Sequence, residues 1–503
     1  MPTLNWLGKD KVLNYSAQVP FHLLNKIYNF GGTSHNKIIH GDNLLALKSL
    51  LPLYESKIKC IYIDPPYNTG NENWIYNDNV NSPQIQKWIG QVVGKEGEDF
   101  SRHDKWLCMM FPRLKLLKQL LSDDGAIFIS IDDNEQNFLR DICNEIFGSQ
   151  NFIANVIWEK KYSPQNDAKF LSDSHDFILV YAKNKNIWRP NLLPRTPEMN
   201  ARYKNPDNDP RGVWKPSPLQ AKSGSDSNFE HIFSNGVKWS PPAGRFSAFS
   251  HKTLEALEKD NRIWFGADGK SVPRFKRFLT DVQQGVVTKT IWKREEVGDN
   301  QDAKREVKSF GNVFDTPKPT RLIEKILKIS TDKNSIILDA FAGSGTTGHA
   351  VLNLNRADGG QRKFILIEME SYAENITAER IRQIGGDFNF YEIGEKFFVD
   401  EEINANLEVE KVREYIWQAD THTEYKKPEV EDCEGFMGVH KNIAYYLTET
   451  LDYEFLATMR TRADEYVIYA ETCAVDKEFL YKHKIEFRKI PRDIRSYENF
   501  EVI

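Results

Sequence analysis

The sequence predicts an α/β fold built on a mostly parallel sheet, and three observations carry that prediction. Strand-like apolar runs alternate with amphipathic helical stretches over residues 36–160, and the alternation resumes after residue 310. A glycine-rich turn, Gly343-Ser344-Gly345-Thr346-Thr347-Gly348, stands between a strand run and a helix start. Another apolar run, Ile58–Ile63, stops at Asp64-Pro65-Pro66, where proline cannot continue a central strand.

Taken in order, Lys37–His40 is a short strand and Asn43–Leu51 has apolar residues at helical spacing. Ile58–Ile63 is the next strand. Trp106–Leu121 reads as an amphipathic helix, Gly125 as its break, Ala126–Ile131 as a buried strand and Asn134–Phe147 as a helix. Residues 161–310 read differently. Proline is frequent, and six of the 11 Trp lie there or at its edge. Several of these Trp are expected in its core. Helical periodicity is weak except around Lys252–Lys259, so the segment reads as a loop-rich, strand-containing insert. The pattern then returns with a helix over Thr320–Ser330, a strand over Ile336–Asp339, a helix over Thr346–Leu354 and a strand over Phe364–Glu368. Residues 391–503 read as a separate α/β module with strands at Tyr466–Tyr469 and Ile485–Lys489. The expected organisation is an N-terminal extension (1–35), two halves of one sheet domain (36–160 and 311–390), the insert between them, and the C-terminal module.

Composition narrows the class. Across 503 residues, 40% are hydrophobic and 28% charged, a globular balance. No stretch approaches the roughly 18 apolar residues of a membrane span, and Met1–Asp10 lacks a secretory pattern. The five cysteines are scattered without a Cys-x-x-Cys pair, which argues against disulfides and structural zinc and for a cytoplasmic setting. No metal site is expected. Charge is unevenly spread. Residues 160–310 carry 27 Lys and Arg against 18 Asp and Glu, a balance of +9, whereas 391–503 carry 15 against 26, a balance of −11. The basic middle suggests a polyanion partner, DNA or RNA.

The glycine turn satisfies G-x-G-x-x-G, and Glu368 ends the next strand, placed to accept from ribose hydroxyls. A phosphate-binding P-loop is excluded because His349 stands where Lys is required. A nicotinamide dinucleotide and S-adenosylmethionine both remain open on this loop alone. Asp64-Pro65-Pro66-Tyr67 should lie at the carboxyl end of its strand, the edge where open α/β sheets bind ligands. A carboxylate and a carbonyl held side by side can accept both hydrogens of an exocyclic amino group, and the following aromatic ring can stack on the base.

Together, Asp64-Pro65-Pro66-Tyr67 and Phe341-Ala342-Gly343-Ser344-Gly345-Thr346-Thr347 resemble the amino-methyltransferases of DNA bases, in the order of their β group. Asn68-Thr69-Gly70, Tyr76-Asn77-Asp78, Ile129–Glu135 and Glu145-Ile146-Phe147-Gly148 resemble the modification (Mod) subunits of type III restriction–modification systems. Thr316-Pro317-Lys318-Pro319 and His40-Gly41-Asp42 resemble further motifs of the family. The resemblance implies a Rossmann-like S-adenosylmethionine-dependent fold with an inserted target recognition domain. It implies methylation of adenine N6, with the base flipped out of the duplex; cytosine N4, or a non-catalytic recognition subunit, are the alternatives. An oxidoreductase would leave Asp64–Tyr67 unexplained.

For the site, the resemblance and the chemistry imply a catalytic set of Asp64, Pro65, Pro66 and Tyr67. The backbone around Phe341, Gly343 and Gly345, with Thr346 and Thr347, would hold the methionine part of S-adenosylmethionine. Lys318 would pair with its carboxylate, Asp339 would take its amino group, Glu368 the ribose and Asp42 the adenine amino group. Asp42 is equally placed to cap the helix beginning at Asn43. Lys160, Lys161, Arg274, Lys276 and Arg277 are the expected DNA contacts. Expected partners are double-stranded DNA, a second copy of the chain contacting through 391–503, and a restriction subunit (nuclease or helicase).

Overall fold

The computed structural model describes residues 3–32, 35–69, 102–164, 168–226, 228–311, 314–399, 401–429 and 432–494. Gly70 and Tyr76-Asn77-Asp78 lie outside the described residues. The chain separates into two compact units, one formed by Met1–Pro190 with Lys289–Ile503, the other by Asn191–Thr288. Among the described residues no helix is long and apolar enough to cross a membrane.

The first unit is organised by a ten-stranded sheet. From edge to edge its strands are His22–Phe30, Phe388–Lys396, Lys37–His40, Lys363–Glu368, Ile336–Asp339, Ile58–Ile63, Leu121–Ile131, His175–Ala182, Phe152–Glu159 and Ile291–Trp292. The six strands from Phe388–Lys396 to Leu121–Ile131 are mutually parallel. His22–Phe30 closes one edge antiparallel to Phe388–Lys396, and His175–Ala182 runs antiparallel to both of its neighbours. The central strands are mostly apolar because helices cover both faces of a parallel sheet. Ile58, Cys60, Ile61 and Ile63 are all buried. The helices Asn43–Tyr54, Arg102–Leu120, Thr320–Ser330 and Thr346–Asp358 provide that cover.

Several element ends differ from the sequence reading. The helix ends at Leu120 and the strand begins at Leu121 rather than Ala126. The pairing shifts register between Ile58↔Leu121 and Cys60↔Ala126, so the polar residues Ser122 to Asp124 and Gly125 are taken up as an irregularity in the strand. The helix expected over Asn134–Phe147 is α-helical from Gln136 to Cys143 and continues as a π-turn over Asn144–Gly148.

Two domain boundaries also move. The insert expected over 161–310 is compact only over Asn191–Thr288, because His175–Ala182 and Ile291–Trp292 are strands of the large sheet. The 391–503 module is not separate from the first unit. Its boundary falls inside the strand Phe388–Lys396, and Phe21 and Leu23 share a core with Tyr415, Ile416, Tyr445 and Tyr469. Its own four-stranded sheet runs Phe436–His440, Ile443–Leu451, Glu465–Cys473, Ile485–Lys489.

The second unit holds the three-stranded antiparallel sheet Ile263–Trp264, Arg274–Phe278, Trp214–Ser217, two short strand pairs and the helix His251–Lys259. Its core gathers Leu219, Phe229, Phe233, Trp239, Leu254 and Ile263. Lys276, expected as a DNA contact, is fully buried here. Its ammonium pairs with Asp207 and with Asp209 at 3.2 Å, and lies 5.4 Å from the centre of the Trp214 ring. Strand alternation separates inward-facing Lys276 from exposed Arg277, while Arg274 is exposed at the strand's first position. Trp158, Trp188, Trp214, Trp239 and Trp292 are buried, as expected of core residues.

Lys276→Ala leaves Asp207 without its cation and Asp209 with Arg211 alone, and is expected to destabilise the protein by roughly 3 kcal/mol, the cost of breaking a buried pair. Exposed Arg274→Ala is expected to change stability by less than about 0.5 kcal/mol. Thermal and urea denaturation of the full chain check both.

Candidate functional site

Two adjacent strands build the site. Ile58–Ile63 pairs in parallel with Ile336–Asp339, with Ile337 opposite Cys60 and Leu338 opposite Ile61. Their carboxyl ends therefore emerge side by side, one carrying Asp64-Pro65-Pro66-Tyr67 and the other Asp339 and the glycine turn. Both open onto a cavity of about 650 Å³. That volume suits a ligand of cofactor size.

The Asp64 turn is fixed by contacts that carry no sequence signature of their own. Trp106 Nε1 donates to the Pro66 carbonyl at 2.7 Å. Asn68 is buried in a left-handed conformation (φ 56°), and its amide donates to the Arg102 carbonyl at 3.1 Å and to Glu135. His103 Nδ1 lies 2.7 Å from the same Glu135 oxygen. Burial pushes the Glu135 carboxyl up. Tyr67 is partly buried with its hydroxyl enclosed, and burial with the nearby Asp64 carboxylate raises that hydroxyl well above the ordinary value.

The glycine turn is held as firmly. Gly343 and Gly345 have positive φ (52° and 78°), and a Cβ on Gly345 would stand 3.1 Å from the Thr377 carbonyl oxygen. Only glycine meets both demands, the conformation and the closeness of another backbone. Gly343 N donates to Glu368 at 2.8 Å, and Glu370 N donates to its other oxygen at 3.0 Å. Asp339 accepts from Phe341 N at 3.1 Å and from Thr347 Oγ1 at 2.5 Å. Behind the turn, buried Arg380 reaches Ser344 Oγ and Thr346 Oγ1 at 3.1 and 3.0 Å. Burial lowers its guanidinium to about 10, and it pushes the His349 imidazole down to about 3. Burial raises the carboxyls of Asp339 and Glu368 to about 7 each.

The structure brings most of the expected residues together. Asp64, Pro65, Pro66, Tyr67, Lys318, Asp339, Phe341, Gly343, Thr346, Thr347 and Glu368 all line the cavity. Three assignments change. Asp42 does not line it: its carboxylate caps the helix at Leu44 N (2.8 Å) and pairs with buried Arg113 at 3.1 Å. Lys318 points to the Asp64 carboxylate. Lys160 is not a surface cation, since it is clamped between Asp173 at 2.9 Å and buried Asp176 at 2.6 Å. Lys161 lies at the cavity wall. Sequence reasoning assigned no role to Asn68, Glu135, His103, Asp176 or Arg380. Asn68 and Glu135 both lie inside stretches that carry the family resemblance, which is the available signal for them.

Comparison with known proteins gives a consistent picture. A family model described as DNA methylase matches residues 58–379. The type III restriction-modification enzyme StyLTI Mod subunit of Salmonella typhimurium is 38% identical over 365 residues, covering 68% of this chain and 54% of that protein. The EcoPI Mod subunit of Escherichia phage P1 is 31% identical over 423 residues, covering 73% and 63%. The type II methyltransferase M.KpnI of Klebsiella pneumoniae is 30% identical over 385 residues, covering 73% and 88%. The chain thus spans between half and two thirds of the length of these two Mod subunits.

The raised carboxyls give a pH signature. Unfolded, Glu368 would lose its proton near 4.5; folded, it keeps it to about 7. The folded state therefore binds more protons across that window, and stability falls as pH rises through it. Thermal denaturation between pH 5 and 7 is expected to show this fall. Glu368→Gln is expected to flatten it.

Proposed function

The chain belongs to the DNA methylase family, and from that premise we propose that it transfers a methyl group from S-adenosylmethionine to the N6 amino group of adenine in DNA. One observation carries the reading: the Asp64 turn and the glycine turn open from neighbouring strands onto a single cavity. Asp in the first position of the catalytic turn favours adenine over cytosine.

The residues fit the cofactor. Gly343 lines the cavity without a side chain of its own, while Gly345 lets the turn pack against Thr377 behind it, and buried Glu368 offers a carboxylate toward ribose hydroxyls. Phe314 and Phe341 line the same wall. When bound, S-adenosylmethionine supplies an electrophilic methyl on a sulfonium centre. The protein's part is chiefly to place the acceptor. Asp64 and the Pro65 carbonyl accept from the two N–H groups of the adenine amino group and aim its lone pair at the methyl. Tyr67 offers its ring to the flipped base, which offsets part of the lost stacking, roughly 1–3 kcal/mol. Both halves of this arrangement sit in a low-dielectric pocket, where such contacts are strong.

DNA contacts fall to exposed Arg274 and Arg277 and to Lys161, with the buried lysines removed from that role. Duplex DNA, a second copy of the chain and a restriction subunit are the proposed partners, in a cytoplasmic setting. Sedimentation of the intact chain tests the dimer.

Incubation of unmethylated genomic DNA with labelled S-adenosylmethionine, followed by nucleoside analysis, is expected to yield N6-methyladenine. N4-methylcytosine, or no label at all, would overturn the reading. Asp64→Ala is expected to abolish transfer while calorimetry shows cofactor affinity within about threefold of the parent, since Asp64 contributes to catalysis and not to cofactor binding. Replacing Arg274 and Arg277 together is expected to weaken DNA binding and lower the slope of log affinity against log salt by about 0.9 per lost phosphate contact.

A further inference from the structure

Lys318 stands where the two halves of the site meet. Its ammonium pairs with Asp64 Oδ2 and lies 5.1 Å from the centre of the Tyr67 ring. Its carbonyl accepts from Thr346 Oγ1, in the first turn of the helix behind the glycine turn, at 3.2 Å. The next residue, Pro319, opens the helix Thr320–Ser330, whose first residue is tied to Glu306 through both N and Oγ1. Stem and head are thus both anchored. The other Asp64 oxygen, Oδ1, is buried and has no hydrogen-bond partner among the described residues. A buried acceptor left in that state is costly unless a ligand completes it.

The groups facing Asp64 make the clamp necessary. Tyr62 and Tyr67 flank it from its own strand and turn, Asp176 faces it from His175–Ala182, and Asp339 faces it from the adjacent parallel strand. Lys160 is committed to Asp176 and Asp173. Lys318 is the cation that the structure pairs with Asp64.

We propose that Lys318 is a positioning residue for methyl transfer: it holds one oxygen of Asp64 so that the other is presented to the amino group of the target base. This deepens the proposed function and rests on it. In the step served, the amino nitrogen's lone pair forms the new N–C bond as the methyl C–S bond breaks. The bonding pair stays on sulfur, giving a neutral thioether, and the surplus proton leaves the nitrogen for water. Lys318 acts on none of these atoms. It sets the angle at which Asp64 receives the N–H. The sequence-based alternative, Lys318 pairing with the cofactor carboxylate, would act on binding instead.

The two roles move different constants. With unmethylated genomic DNA, the methylation rate at saturating S-adenosylmethionine is expected to fall about 10- to 100-fold in Lys318→Met, the scale of a misplaced reacting group. Cofactor affinity by calorimetry is expected to stay within about twofold, and Lys318→Arg, which restores a cation, is expected to recover part of the rate. An unchanged rate overturns the proposal. So does a loss that excess cofactor repairs, together with weakened cofactor binding. If Lys318→Met does not fold, Lys318→Gln, of similar length but uncharged, is read by the same criteria. Absence of methyl transfer by the parent chain would overturn the functional reading itself, an outcome distinct from a defect confined to the variants.

Discussion

The parallel pairing of Ile58–Ile63 with Ile336–Asp339 is the constraint on which the site depends. It brings Asp64 and Asp339 to one sheet edge although 275 positions (339 − 64) separate them in the chain. Side chains at the ends of parallel strands all project from the same edge, so one strand pair is enough to set a reactive turn beside a ligand cradle. The rest of the first unit serves that pairing. Helices cover the faces, and the antiparallel strand His175–Ala182 adds Asp176 to the cavity wall. Trp106 and Asn68 then pin the turn that leaves the first strand, while Thr377 and Arg380 pin the turn that leaves the second.

Around that edge the protein concentrates carboxyl groups in a poorly solvated space, and it manages each differently. Asp64 is paired with Lys318, and Asp176 with Lys160. Asp339 and Glu368 instead accept backbone and hydroxyl donors and hold their protons to about pH 7. Burial disfavours charge, whereas hydrogen bonds and cations restore it, and the balance differs from group to group. The result is two acids near neutrality on the ligand side and a cation-paired carboxylate on the catalytic side.

Much of the fold was legible because parallel strands and amphipathic helices leave periodic patterns. Thr320–Ser330, Ile336–Asp339 and Ile485–Lys489 were read with the bounds they have. The site's centre was legible because its turns need particular residues, Pro65-Pro66 on one side and Gly343 and Gly345 on the other. What escaped were contacts between distant residues. Nothing local says that Glu135 will meet Asn68, that Arg380 will lie under Ser344, or that Lys318 will reach Asp64. Basic charge misled for a related reason. Lys160 and Lys276 were counted as surface, yet each is neutralised by carboxylates remote or inward-facing in the folded chain. Domain limits were missed where a strand of the large sheet lay inside a segment of insert-like composition, as with His175–Ala182.

The same sheet order has a consequence for how the molecule is made. On a ribosome, Ile58–Ile63 emerges long before Ile336–Asp339, and His22–Phe30 before Phe388–Lys396. At about 5–20 residues per second, the wait for each missing neighbour is on the order of 10–70 s. During that interval apolar strands with unpaired edges are available to the wrong partners. Non-local parallel pairing is also slow to form once its partner arrives. Chaperone attendance during synthesis, and slow unassisted refolding from denaturant, follow from the placement of two strands.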